Sequence, residues 1–153
     1  MKLMRKIVIY TLFIALTVGL GIFSGLTNPP GEWYQTLTKP AFNPPSWLFA
    51  PVWTTLYVLI GIAGARVWLR APSSLPMQIW FVQLVLNLLW SPAFFGMQNP
   101  ALGLAIIALL LASVIAFIVT ARKQNRISSL LFLPYVAWVG FASILNLSLF
   151  ILN

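Results

Sequence analysis

The sequence predicts an all-α membrane protein, a bundle of five transmembrane helices with an ordered outer loop between the first two. Of its 153 residues, 61% are hydrophobic and only 7% are charged, whereas a soluble domain carries about 25% charged residues. The apolar residues fall into five runs, each long enough to cross about 30 Å of hydrocarbon at about 1.5 Å per residue. Short basic clusters separate these runs. Lipid must therefore cover most of the surface.

The predicted spans form one domain over residues 1–153 and cover 7–26, 47–69, 77–97, 101–121 and 128–152. The first span follows the basic segment 1–6, which is also how a secretory signal peptide begins. Its apolar run is longer than a signal core, and four more spans follow it. We therefore expect a retained helix.

The basic residues predict the orientation. Of the nine Lys and Arg residues, all but Lys39 fall on one side when five helices are threaded through a membrane: Lys2, Arg5, Lys6, Arg66, Arg70, Arg122, Lys123 and Arg126. Positive charge marks the cytoplasmic side. We expect a cytoplasmic N-terminus, with the C-terminus and the first loop outside, in a bacterial cell membrane. The net charge of +8 then reflects topology and does not indicate nucleic-acid binding.

The first loop, residues 27–46, is rich in both proline and aromatic residues, unlike a flexible linker. The prolines are Pro29, Pro30, Pro40, Pro44 and Pro45, and the aromatic residues are Trp33, Tyr34 and Phe42. Restricted backbone and apolar rings together predict a folded cap, or lid, on the helix ends. Residues 31–37 are expected to form a short helix, with Glu32 favoured by the dipole of its first turn.

The residue inventory excludes most conventional chemistry. The chain has no Cys and no His, and its one acidic residue, Glu32, lies outside the spans. Thiolate nucleophiles, imidazole bases and the usual zinc or haem ligands are therefore excluded. Proton-coupled transport normally needs acidic residues within the spans. No metal site and no cofactor is expected.

Seven tryptophans offer an aromatic surface instead. Trp47, Trp68 and Trp80 lie near span ends, where interfacial belts are typical. Trp53, Trp90 and Trp138 lie deeper, so their indole N–H groups need partners. These three could line one cavity for a flat ligand, or they could serve packing alone.

The third predicted helix adds polar residues in the same region. Pro92 cannot donate to the carbonyl of Leu88, so a kink is expected there. Asn87 must bond to a neighbouring helix or to a ligand, and periodicity leaves both open. Asn146 in the fifth helix has the same ambiguity.

Small residues suggest close helix packing. They recur along the fourth helix at Ala101, Ala105, Ala108, Ala112, Ala116 and Thr120, and as a GxxxG pattern over residues 21–25 of the first. Either could form a dimer face, but we interpret both primarily as packing within the chain.

Five sequence blocks stand out along the chain: WYQTLTKP (33–40), NPP (43–45), PVWTTLY (51–57), LNLLWSPAFFG (86–96) and PYVAW (134–138). Together they resemble the tryptophan-rich sensory protein and translocator protein family, TspO/MBR. The resemblance covers essentially the whole chain. It implies a five-helix bundle whose outer loop closes over a cavity, and often a homodimer.

The resemblance also implies a ligand site. Family members bind porphyrins such as protoporphyrin IX, and some bind cholesterol and isoquinoline carboxamides. Carried over by position, the ligand-binding residues would be Tyr34, Trp53, Asn87, Trp90, Ser91, Phe94, Trp138 and Ala142. The family's sterol pattern needs a Tyr followed by Lys or Arg at the end of the fifth helix, and residues 145–153 contain neither.

The sequence leaves three functions open. The first is a membrane receptor for porphyrins in tetrapyrrole handling, transport or stress sensing. The second is light- or oxygen-dependent porphyrin breakdown, in which Trp53 or Trp138 would be the redox participants. The third is a sterol or lipid transfer protein, which the missing pattern disfavours. The expected partners are the apolar ligand, membrane lipid and a second copy of the chain.

Overall fold

The computed structural model describes all 153 residues, and it consists of helices and the segments that connect them, without strands. Its helices are α1 (Lys2–Thr27), α2 (Glu32–Thr36), α3 (Phe49–Arg70), α4 (Leu75–Ser91), α5 (Pro100–Gln124), α6 (Arg126–Leu131) and α7 (Leu133–Leu152). Five segments are long and apolar enough to cross a membrane: Lys2–Thr27, Ser46–Arg70, Leu75–Gly96, Pro100–Gln124 and Arg126–Leu152. The predicted fold class is confirmed.

Proline and asparagine set the helix boundaries. Pro92 ends the α-helical part of α4, and the chain continues as a single π turn, Pro92–Gly96. The irregularity expected at Pro92 is therefore a π turn. The turn after it is tight: Gln98 has φ +50°, and the Asn99 side chain accepts from the Leu102 N–H at 3.0 Å. Such a cap gives a hydrogen-bond partner to a backbone N–H in the first turn of α5, which has none within the helix.

The helices are arranged so that one seam is left open. Helix α1 packs on α3, α4 packs on α5, and α5 packs on α7, whereas α3 and α7 make little direct backbone contact. Helix α6 closes the seam at the basic end, where the Ser128 hydroxyl donates to the Ala63 carbonyl at 3.2 Å. At the same end the Arg66 Nε donates to Asn125 Oδ1 at 3.2 Å. The seam between α3 and α7 therefore opens towards the outer loop.

Trp80 corrects one expectation from the sequence. Its place near a span end predicts an interfacial belt, but it is fully buried and donates its indole N–H to the Ile60 carbonyl at 2.9 Å. Gly64 on α3 makes room for it, because a Cβ there would lie 2.7 Å from the indole Cζ2. Trp47 is 72% exposed, consistent with a belt position.

The small residues divide between core and surface. A Cβ at Gly21 would collide with the Tyr57 ring, whereas one at Gly25 would meet nothing within 4 Å. The expectation that the α5 stripe packs within the chain is wrong, because Ala101, Ala105, Ala108 and Ala112 are exposed. Larger residues fill the buried face of α5 instead, among them Ile107, Leu110, Val114 and Phe117.

Candidate ligand site

A groove of about 600 Å³ runs along the open seam between α3 and α7. Its lining is mostly apolar and comprises Trp47, Leu48, Pro51, Val52, Thr55, Leu56, Leu59, Pro134, Ala137 and Trp138. Ligand sites usually have volumes of roughly 300–1,000 Å³, apolar walls and few polar groups. The groove matches this volume and this apolar lining, it is open to the surroundings along its length, and it begins where the outer loop joins α3.

Trp138 lines the groove and also carries an unpaired polar group. Its indole Nε1 is buried and has no hydrogen-bond partner. The ring lies edge-on to Phe49 at 5.9 Å and tilted against Phe141 at 5.6 Å, between centroids. A buried donor without an acceptor costs free energy in an apolar medium. Ala142, one turn further along α7, is half-buried and packs on the core.

A buried polar network connects Tyr57, Asn87, Tyr135 and Gln83, and Trp53 packs against it. The Trp53 ring lies 5.6 Å from the Tyr57 ring, and the Tyr57 hydroxyl donates to Asn87 Oδ1 at 2.8 Å. Asn87 Nδ2 donates to the Tyr135 hydroxyl at 2.7 Å, and that hydroxyl donates to Gln83 Oε1 at 2.8 Å. Asn87 thus joins α3, α4 and α7, and its hydrogen-bond partners are side chains of neighbouring helices.

Trp90 and Phe94 belong to a separate cluster at the outer end of α4. Their rings stack at 4.9 Å with 18° between planes, and Trp90 Nε1 donates to Asn146 Oδ1 at 2.9 Å. Asn146 in turn donates to the Pro100 carbonyl at 3.0 Å. The indole N–H of Trp90 is therefore satisfied by the protein. Ser91, the last residue of α4, is half-buried.

The outer loop is folded onto both regions, and α2 forms where a short helix was predicted. Trp33 contacts Phe94 at 5.6 Å, and Phe42 contacts Phe141 at 6.3 Å, between ring centroids. Because Phe141 touches Trp138, the loop reaches the outer end of the groove. The predicted ordered cap is present.

Tyr34 and Lys39 organise the middle of this loop. The Tyr34 ring contacts Phe95 at 5.5 Å, and the Lys39 Nζ lies 4.5 Å from the Tyr34 centroid while donating to the Tyr34 carbonyl at 2.8 Å. Burial raises the pKa of the Tyr34 phenol, and the Asn43 side chain lowers it by a smaller amount. The phenol is therefore neutral near pH 7, and Lys39 supplies the local charge.

Asn153 clamps the loop to the end of α7. Its Oδ1 accepts from the Thr38 N–H at 2.9 Å, and its Nδ2 donates to the Thr38 carbonyl at 3.0 Å. The same Nδ2 donates to the Leu149 carbonyl at 2.9 Å. One side-chain amide therefore pairs with both polar groups of one loop residue.

Comparison with known proteins identifies the family. A sequence model of the TspO/MBR family matches residues 13–152. The chain belongs to this family. It is 39% identical over 155 residues to a tryptophan-rich protein TspO from Chlorobaculum tepidum, covering 97% of this chain and 98% of that one. A tryptophan-rich protein TspO from Archaeoglobus fulgidus is 46% identical over 123 residues, covering 79% and 80%. The human translocator protein is 36% identical over 141 residues, covering 86% and 82%.

The family-derived residues thus fall into three groups. Of the eight, only Trp138 lines the groove, and Ala142 lies one turn further along α7. Asn87 belongs to the polar network, and Trp53 packs on its Tyr57 ring. The other four lie at the outer cluster: Tyr34, Trp90, Ser91 and Phe94. Tyr135, Gln83 and Asn153 take part in these arrangements, although the sequence did not single them out. Gln83 carried a detectable signal, since a polar side chain inside an apolar span needs a partner.

Proposed function

We propose that this chain is an integral membrane receptor for porphyrins, with protoporphyrin IX as the representative ligand, in tetrapyrrole handling, transport or stress sensing. The observation that carries the proposal is the buried, unpartnered indole N–H of Trp138 beside the apolar groove. A ligand with an apolar body would fill the groove, and a rotation of the Trp138 side chain would bring this buried donor to a polar acceptor on the ligand. Family membership supports the same function.

Lys39 offers a carboxylate of the ligand one cationic partner at the loop end, where Glu32 is the one acidic side chain. A porphyrin is a flat apolar macrocycle whose two propionates lie on one edge. The groove would take the macrocycle against Trp47 and Trp138, and the propionates would lie towards Lys39 at the loop end. Opposite charges attract more strongly at such a low-dielectric boundary than in water.

The proposal includes an orientation and an assembly. The basic end of the bundle would face the cytoplasm of a bacterial cell, and the loop would face outward, because all but one of the basic residues lie at that end. A homodimer is also proposed. The exposed small residues of α5 would permit the close backbone approach that such contacts need.

Substitution of Trp138 tests the ligand site. We expect protoporphyrin IX to quench tryptophan fluorescence of the purified protein saturably at micromolar concentration. Trp138→Phe should weaken binding about five- to tenfold, since a hydrogen bond in a buried site contributes on the order of 1 kcal/mol. The matched control is Trp68→Phe, because Trp68 packs on Phe13 and does not line the groove. Absence of saturable quenching in the unmodified protein would refute the proposal.

Porphyrin breakdown is retained as a second candidate because Trp53 and Tyr57 form a close pair of oxidisable rings, 5.6 Å apart. Molecular oxygen would be the oxidant. We expect illumination of the porphyrin complex in air to give a new absorbing product, which is lost in Trp53→Phe and in the absence of oxygen. A porphyrin spectrum unchanged by light would leave binding alone.

A further inference from the structure

A second groove, of about 810 Å³, lies on the lipid-facing side of the bundle between α1 and α3. All but one of its lining residues come from one stripe of α1, and these include Lys6, Tyr10, Thr11, Ile14, Ala15 and Val18. It shares no residue with the groove between α3 and α7. Neither the family site nor the proposed porphyrin function involves it.

The lining of this groove changes from charged to hydroxylic to apolar along its length. Lys6 is exposed at the basic end of the bundle. One turn further along, the hydroxyls of Tyr10 and Thr11 make no hydrogen bond within the chain, whereas most other hydroxyls of the spans bond to a carbonyl of their own helix. Beyond them the walls are aliphatic. Two donors near a membrane interface are thus left for an external acceptor.

We propose that this groove binds one anionic phospholipid. The phosphate would pair with Lys6, the ester carbonyls would accept from Tyr10 and Thr11, and one acyl chain would lie along Ile14, Ala15 and Val18. A helical tyrosine leans towards the N-terminus of its helix, which for α1 is the Lys6 end. From Lys6 to Val18 the helix rises about 18 Å, close to the depth of one leaflet, roughly 15 Å of hydrocarbon.

The preference for a negative headgroup follows from charge. The only acidic side chain, Glu32, lies in α2 at the opposite end of the bundle. All the basic residues except Lys39 gather at the Lys6 end, so no carboxylate competes with the phosphate there. A zwitterionic lipid would bring its own cation into this positive field, and an anionic one would not. Each basic residue near a membrane surface strengthens such binding about fivefold.

Native mass spectrometry of the detergent-solubilised full chain tests the charge argument. We expect phosphatidylglycerol to bind more tightly than phosphatidylcholine with identical acyl chains. Lys6→Gln should reduce the preference about fivefold. The matched control is Lys123→Gln, which removes the same charge from the same end without touching the groove. Equal losses in both variants would show diffuse attraction to the whole basic end and would overturn the proposal.

Two further measurements test the groove itself. Ala15→Trp should fill it and abolish the preferential binding, whereas Val119→Trp, at an exposed position of α5, should leave binding unchanged. Ether-linked phosphatidylglycerol lacks ester carbonyls and should bind several-fold more weakly than the ester form. That difference should disappear in Tyr10→Phe/Thr11→Val. Full retention of binding in Ala15→Trp would show that the lipid lies elsewhere. Circular dichroism confirms that each variant is folded.

Discussion

Gly61→Ala should lower the free energy of unfolding by about 1–3 kcal/mol, a range typical of overpacked cores. A Cβ at Gly61 would lie 2.7 Å from Ile14 Cα and 2.8 Å from Thr17 Oγ1. The first contact is with backbone, which cannot move aside by a change of rotamer. The second would disturb the bond from the Thr17 hydroxyl to the Tyr57 carbonyl, 2.6 Å long. Helices α1 and α3 must therefore separate.

The matched control for Gly61→Ala is Gly19→Ala. Gly19 also lies in a spanning helix, and a Cβ there meets nothing within 4 Å. Alanine favours helix by up to about 1 kcal/mol over glycine, so this variant should be neutral or slightly more stable. The measurement is denaturant or thermal unfolding in one detergent, followed by circular dichroism. Equal stability of the two variants would mean that α1 does not pack on α3 as described.

The spans could be predicted from the sequence because hydropathy and charge decide which segments cross a membrane. Which face of a helix turns inward could not. In a soluble protein the core face of a helix is apolar and its outer face is polar. A helix inside a membrane is apolar on both faces, because its outer face contacts lipid. The sequence misplaces the exposed alanines of α5 and the buried Trp80 for this reason. The fit of Trp80 depends on Gly64, which is contributed by another helix.

The candidate site was only partly predictable, because the sequence shows how deep a residue lies in a span but not which helix it faces. Tryptophans far from a span end stand out, so Trp53, Trp90 and Trp138 could be selected by depth alone. Whether each indole N–H meets a protein acceptor depends on the register between helices, which no local pattern records. Trp90 meets Asn146, whereas Trp138 meets nothing. The clamp of Asn153 on Thr38 joins residues 115 positions apart and had no sequence signal.

The outer loop should control how fast a bound porphyrin leaves. Replacing residues 33–42 by a Gly/Ser linker removes three ring contacts: Trp33 with Phe94, Tyr34 with Phe95 and Phe42 with Phe141. Each aromatic pair contributes about 0.5–1.5 kcal/mol, so dissociation should accelerate at least about tenfold, the factor that corresponds to 1.4 kcal/mol. The bundle should stay folded, because the buried core cluster contains no loop residue. Stopped-flow fluorescence measures the rate, and circular dichroism checks the fold.

Asn153→Ala separates the clamp from the rest of the loop. It removes two hydrogen bonds to Thr38 and leaves every loop ring contact in place. Each bond contributes roughly 0.5–1.5 kcal/mol when protected from water and less when exposed, so we expect dissociation to accelerate about three- to tenfold, less than in the loop replacement. The matched control is Ser148→Ala, which removes a bond within the same helix, from the Ser148 hydroxyl to the Ile144 carbonyl. An unchanged rate in Asn153→Ala together with a faster rate in the loop replacement would assign the gate to the aromatic contacts alone. Unchanged rates in both would make the loop a structural cap, with ligand exchange passing between the helices instead.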